Sequence, residues 1–113
     1  MPIPTGYKSL EIYTLSKRLV IACYELTHEL PSEEKNNFTR YIRMAALNVH
    51  VNIAQGAFMK SKKREKFLRN AKNALIIIDA ATEILVELRF ATPEQIEVIT
   101  ILCSSCYRLL DDL

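Results

Sequence analysis

Thr92-Pro93-Glu94-Gln95 is the clearest helix start in the chain. Thr92 suits the N-cap position, Pro93 suits the first helical position, and Gln95 completes a capping box. Beyond them, apolar side chains recur at spacings of three and four, which places them on one helical face. These side chains are Ile99, Leu102, Cys106, Leu109 and Leu113. The pattern therefore predicts a C-terminal helix that begins at Thr92-Pro93 and is separate from the preceding helix.

Two further breaks lie upstream. Pro31 ends a first helix that we expect over Ser9 to Leu30, and Ser32 is placed to cap a second helix. Gly56 marks the end of the second helix, and Ser61 is placed to cap the third. The predicted apolar stripes of these helices are Ile12, Leu15, Leu19, Ala22 and Leu26; then Phe38, Ile42, Ala45, Val49 and Ile53; then Leu68, Ala71, Leu75, Ile78, Leu85 and Leu88.

The composition agrees with long helices and short connections. The 113 residues include only 2 Gly and 4 Pro, which is fewer turn residues than strand-rich folds need. Half of the residues are hydrophobic and a quarter are charged, which is typical of one globular domain, here residues 1–113. Since short connections make sequential helices antiparallel neighbours, the sequence predicts an all-α fold, an antiparallel up-down-up-down four-helix bundle.

The N-terminus and the cysteines bear on localisation. The first residues lack the basic region and apolar stretch of a secretory signal. No uncharged apolar run reaches the roughly 18 residues of a membrane span. The 3 cysteines are an odd number without a framework spacing, which fits reduced thiols. We therefore expect a cytoplasmic protein with no membrane partner.

Two of the predicted helices are more apolar than an isolated bundle requires. Residues 44–59 include no charged side chain, and residues 74–90 are apolar nearly all round. A helix in a monomeric bundle shows one face to water and should be polar there. Extra apolar faces favour burial against another subunit, so we expect a homo-oligomer. The alternative is a monomer with a somewhat apolar surface.

The sequence predicts no catalytic residues, no metal site and no cofactor. Cys103-Ser104-Ser105-Cys106 is a CxxC pair, but it lies well inside the fourth helix with no second pair and no nearby histidine. That placement favours packing over zinc or redox chemistry. His50 lies in an apolar stretch, where a structural role or a subunit contact is the better interpretation. Asp79, Glu83 and Glu87 fall on one helical face, which favours a solvated or salt-bridged stripe.

The strongest functional signal is the stretch of residues 60–72, which we call the basic segment. It holds seven basic residues against Glu65 alone, whereas residues 73–113 carry an acidic excess. Cations at a helix N-terminus oppose the helix macrodipole, so stability does not explain them. The candidate nucleic-acid-binding residues are Lys60, Lys62, Lys63, Arg64, Lys66, Arg69 and Lys72, with Arg40 and Arg43 as further candidates.

The basic segment admits several interpretations. The first is contact with the phosphates of RNA or DNA, without base readout because no aromatic ladder accompanies the lysines. Second, an adjacent helix C-terminus or a neighbouring subunit could neutralise the charge, and Arg40 and Arg43 could pair with acidic residues of neighbouring helices. Third, an acidic partner protein could bind there. A small enzyme that uses Cys103 or Cys106 is a separate hypothesis.

Three stretches resemble a family of small bacterial four-helix-bundle proteins known as 23S rRNA intervening-sequence proteins. The stretches are Leu30-Pro31-Ser32-Glu33-Glu34, Ile42-Arg43-Met44-Ala45-Ala46 and Asn52-Ile53-Ala54-Gln55-Gly56. They are similar to the family's acidic helix start, its Arg-Arg-Ala-Ala run and its Asn-Ile-Ala-Glu-Gly motif. Within that motif we assign Asn52 to an amide hydrogen bond between helices, and Gly56 to a close approach or a helix end.

The superfamily also includes the accessory variability determinants of diversity-generating retroelements. The stretches that look similar to this branch are Ala45-Ala46-Leu47, Leu68-Arg69-Asn70-Ala71 and Tyr107-Arg108-Leu109-Leu110. Met44 replaces the second arginine of the intervening-sequence type, His50 stands where that type usually has proline, and Gln55 replaces glutamate. These departures favour the retroelement branch. The resemblance implies a homopentamer of bundles that forms a barrel, basic surfaces that contact RNA or DNA, and, in the accessory branch, a reverse transcriptase as partner.

Overall fold

The computed structural model describes residues 3–112, and in that part of the chain four α-helices follow one another: α1 Glu11–His28, α2 Phe38–Gly56, α3 Ser61–Glu87 and α4 Pro93–Asp111. Short 3-10 helices, Gly6–Ser9 and Ser32–Glu34, precede α1 and α2. Each helix packs against the next, and α4 returns to pack against α1. This arrangement confirms the predicted all-α up-down bundle. None of the described helices has the length and apolar character needed to cross a membrane.

The core lies between the four helices and is built from the predicted stripes. The deeply buried members are Leu19, Ile42, Val49, Ile53, Leu75, Ile78, Leu85, Ile99 and Cys106. Burying a large aliphatic side chain stabilises the fold by about 1.5–3 kcal/mol. Other stripe members are partly buried at the margin of the core: Leu15, Ala22, Phe38, Leu68, Leu102 and Leu109. Leu113, which we expected to continue the stripe of α4, lies outside the described residues.

The predicted capping box at the start of α4 is confirmed. The backbone N–H of Gln95 donates to Thr92 Oγ1 at 3.2 Å, and the backbone N–H of Thr92 donates to Gln95 Oε1 at 2.8 Å. Pro93 occupies the first turn, where a missing N–H costs nothing. The start of α4 is therefore set by the side chains of Thr92, Pro93 and Gln95 themselves.

The predicted caps at Ser32 and Ser61 are wrong. Ser32 opens a 3-10 turn, and α2 begins only at Phe38, after the Asn37 amide has donated to Glu34 Oε1 at 2.9 Å. Asparagine side chains commonly stabilise such turns instead of a helix. Ser61 is the first residue of α3 and has a φ of 56°. The chain reverses direction between α2 and α3 through this left-handed residue. The start of α3 has no side-chain cap.

The first helix is shorter at both ends than the sequence predicted. The Gly6–Ser9 turn and the extended backbone of Leu10 delay its start to Glu11, and it ends at His28 instead of Leu30. Leu30 is nevertheless buried. The connection that begins with Pro31 therefore still contributes a side chain to the core.

The third helix ends in a Schellman motif, and the last predicted core residue before it is exposed. The N–H of Phe90 donates to the Leu85 carbonyl at 2.9 Å, and the N–H of Arg89 donates to the Val86 carbonyl at 3.0 Å. Arg89 has the left-handed φ of 64° that this motif requires and that glycine usually supplies. Leu88, which we expected in the core, is 50% exposed, because it lies to one side of the buried stripe formed by Leu75, Ile78 and Leu85.

Candidate nucleic-acid interface

The basic segment lies at the end of the bundle where α2 stops and α3 begins. Lys60 precedes α3 in extended backbone, and the other six cations occupy its first turns. Five of the seven side chains are exposed, namely Lys60, Lys62, Lys63, Lys66 and Arg69, while Arg64 and Lys72 are half-buried. Folding therefore presents most of this charge to solvent.

Three of the exposed cations form a row on one face of α3. Lys62, Lys66 and Arg69 follow at spacings of four and three, so they stand on successive turns. The rise of an α-helix makes this row about 10 Å long. The opposite face of α3 carries Ala71 and Leu75, which are buried in the core. The row is thus fixed in orientation by the packing behind it.

Lys72 differs from the rest of the basic segment. Its Nζ forms an ion pair with Asp111 Oδ1 at the end of α4 and lies 5.5 Å from the ring centroid of Tyr107. The hydrogen bond that Lys72 donates to Asp111 raises the pKa of Lys72. This is the only ion pair within residues 3–112. An adjacent helix end therefore neutralises one of the seven cations, while the other six have no such partner in the described part of the chain.

Arg40 and Arg43 lie at the opposite end of α2, and the structure does not bring them to the basic segment. Arg43 Nε donates to Thr27 Oγ1 at 2.8 Å, and its guanidinium stacks over Tyr24, 4.4 Å from the ring centroid. About 20 Å of helix separates Arg43 from Gly56. Arg40 is exposed near the start of α2, at the same end as Arg43. Arg43 is therefore held by a hydroxyl and a ring of α1, not by an acidic residue.

Asn52 and Gly56 lie where α2 contacts the start of α3. Asn70 Nδ2 donates to Asn52 Oδ1 at 3.4 Å across the two helices. A Cβ added to Gly56 would lie 3.3 Å from Phe67 Cβ, which is tighter than ordinary packing. Gly56 is also the last residue of α2. The two positions thus set how closely the helix that carries the basic segment approaches α2.

The sequence did not reveal an aromatic cluster beside the basic segment. Ring centroids lie 5.0 Å apart for Tyr7 and Phe58, 5.2 Å for Tyr7 and Tyr13, and 4.4 Å for Tyr13 and His50. We call these four residues the aromatic cluster. They come from the first 3-10 turn, α1, α2 and the α2–α3 connection, so no window of sequence shows them together. The rings come together beside the basic segment only when the chain is folded.

His50 joins α2 to α1. Its Nδ1 lies 2.8 Å from Ser16 Oγ, and that hydroxyl donates to the Tyr13 carbonyl at 3.0 Å. Because a hydroxyl has one proton, a protonated Nδ1 is the donor to Ser16 in this arrangement. Burial, and then the charge of Lys17, lowers the pKa of His50. These contacts give His50 the structural role that its apolar surroundings indicated.

The three cysteines are free, buried thiols. Burial raises the pKa of Cys23 to about 12 and that of Cys106 to about 11. Burial also raises the pKa of Cys103, with a smaller effect from Cys23. The thiolate is the nucleophile and the metal ligand, so protonated thiols favour the packing interpretation. Within residues 3–112, no group of three or more His, Cys, Asp or Glu is placed to hold a metal ion.

The fold and the basic end together define a class of protein, the small all-α four-helix bundle with a cationic helix start. A comparison with family models narrows this class. The model of the 23S rRNA-intervening sequence protein matches residues 8–112. The chain therefore belongs to that family, and the match spans all four helices. A search of curated proteins found no match.

Proposed function

We propose that the protein is a non-catalytic, oligomeric accessory protein that binds RNA or DNA through backbone phosphates. The observation that carries this proposal is the row of exposed cations Lys62, Lys66 and Arg69, which have no acidic partner in the described part of the chain. Cations that oppose the dipole of their own helix cost stability. Phosphate neutralisation with release of counterions supplies the compensating free energy. A family named for a sequence within 23S rRNA agrees with a nucleic acid as partner.

Exposed apolar side chains on two adjacent helices support the oligomeric part of the proposal. They are Tyr41, Met44 and Val51 on α2, and Ile77, Ile84 and Leu88 on α3. Side chains of this size prefer to lose contact with water, and a second subunit is the simplest cover. Repeating the basic segment around an assembly would raise affinity for one long polyanion. If the protein belongs to the accessory branch of the superfamily, the oligomer would be a pentamer. Its partner would then be a reverse transcriptase.

A charge-reversal experiment tests the phosphate contacts. We expect Lys62→Glu, Lys66→Glu and Arg69→Glu together to abolish binding to a labelled oligonucleotide in fluorescence anisotropy, with helicity unchanged. Lys35, Arg40 and Arg89 are exposed at the other end of the bundle. Their reversal to Glu changes the net charge equally and serves as the matched control.

Two results would contradict the proposal. If the triple variant binds as the wild type does, the basic segment is not the interface. If both triple variants lose binding equally, only net charge matters and no site exists. Binding of an acidic peptide but not of any oligonucleotide would favour the alternative, a protein–protein scaffold.

A further inference from the structure

We infer that the aromatic cluster and the lysines around it form a stacking platform for unpaired bases, so that this end of the bundle prefers single-stranded nucleic acid to duplex. The inference rests on the proposed function, because rings without phosphate contacts would hold a strand weakly. It goes beyond that function, because phosphate contacts alone do not distinguish the two forms.

Phe58 is a large ring held in place and yet open to solvent. Its side chain is 46% exposed, although its ring packs edge-on against Tyr7 with an interplanar angle of 62°. Tyr7 is itself braced by Tyr13, at an interplanar angle of 85°. The cluster therefore keeps an exposed aromatic surface in a defined position, which reduces the entropy that binding would cost.

The charges around the aromatic cluster are complementary to a polyanion. Lys8 Nζ lies 5.9 Å from the ring centroid of Tyr7, and the charge of Lys17 reaches His50. Lys60 follows Phe58 by two residues, and all three lysines are exposed. Glu11 and Glu65 also lie near this end, but neither forms an ion pair with these lysines in the described part of the chain. A strand whose phosphates contact the lysines would bring its bases over the rings.

An unpaired base can use this platform and a paired base cannot. Stacking on an aromatic side chain requires a free base face, and it tolerates any base because each has a π-face. In a duplex those faces are already stacked on neighbouring pairs, so a duplex can only contact the cations. The geometry thus predicts selectivity for single strands without selectivity for sequence.

Single-tryptophan variants test the contact directly, because the chain contains no tryptophan. We expect the fluorescence of the Phe58→Trp variant to be quenched by a single-stranded oligonucleotide, but not by the matched duplex or by tripolyphosphate. Val98→Trp is the control, since Val98 is 55% exposed on α4, which begins at the end of the bundle away from the basic segment. Its fluorescence should not respond. Equal quenching of both variants, or of neither, would overturn the platform.

Affinity measurements separate this inference from the function on which it rests. We expect Phe58→Leu to weaken single-strand binding about fivefold or more, with duplex binding and the melting temperature unchanged. Val98→Ala should leave both affinities as they are. If Phe58→Leu has no effect while reversal of Lys62, Lys66 and Arg69 abolishes binding, the platform fails and the proposed function stands. If the wild type binds no nucleic acid, both fail.

Discussion

Individual side chains at the basic end of the bundle have contrasting roles. Lys62 and Lys66 leave their charges in solvent, whereas Lys72 is bound to Asp111. His50 is half-buried between an aromatic ring and a serine hydroxyl, which makes it sensitive to protonation in a way that the lysines are not. Some of these side chains therefore make contacts within the fold, whereas the exposed lysines are the ones that we propose contact phosphates.

The pH dependence of stability should reveal the environment of His50. Its pKa in the fold lies below its usual value of 6.5, so the unfolded chain binds the proton first as the pH falls. The contribution of His50 to stability is therefore complete above about pH 6.5 and is lost progressively as the pH falls below that value. Thermal melts at pH 7.5 and 5.5 should show a larger loss for the wild type than for His50→Gln. Equal losses would mean that His50 titrates alike in both states.

At the scale of elements, the sequence predicted the helices better than it predicted their ends. The spacings of three and four located the stripes because every helix buries one face, and the Thr92–Gln95 box is purely local. Ser32 and Ser61 were misread because a serine before a helical run looks the same whether it caps the helix or lies in a turn. Leu88 was misplaced because its spacing of three from Leu85 fits the pattern, although the accumulated rotation takes it off the buried face.

The candidate site was only partly predictable for a related reason. The basic segment is contiguous, so the sequence displays it fully. The ion pair of Lys72 with Asp111 and the aromatic cluster join residues far apart in the chain. Such contacts follow from the packing of α1 and α4 against the hairpin of α2 and α3, which periodicity alone does not specify.

The capping box should make a measurable contribution to stability. We expect Thr92→Ala to lower the free energy of unfolding by about 1 kcal/mol, because the backbone N–H of Gln95 loses its side-chain acceptor and keeps only the Thr92 carbonyl. In a chain of this size the melting temperature should fall by about 4 °C. Thr100→Ala is the control: this exposed threonine bonds only to the Ile96 carbonyl within α4, at 3.2 Å. A fall of equal size in both variants would mean that the cap contributes nothing specific.

At the scale of the whole molecule, α2 and α3 combine two kinds of surface. Their hairpin is exposed and apolar along Tyr41, Met44, Ile77 and Ile84, and it is cationic where α3 begins. An assembly formed through the apolar part would leave the cationic ends available. This arrangement would connect the proposed oligomer to the proposed nucleic-acid binding, since each added subunit would add a basic segment.

A charge introduced into the apolar surface should dissociate the assembly. Ile84 is 46% exposed, so Ile84→Glu should leave the bundle folded while its carboxylate opposes burial against another subunit. We expect this variant to elute as a monomer of 13.0 kDa. Ile21, 52% exposed on α1, provides the control variant Ile21→Glu. Dissociation by the control alone would place the interface on α1 instead.

Light scattering coupled to size-exclusion chromatography, with and without a mixed RNA and DNA sample, would show whether the protein is an oligomer that binds nucleic acid. We expect a defined multiple of 13.0 kDa. This oligomer should co-elute with nucleic acid at low salt and release it at high salt, because phosphate contacts are lost as salt rises. A monomer that ignores nucleic acid at every salt concentration would contradict both the interface and the basic segment as a binding site, and only the four-helix bundle would remain.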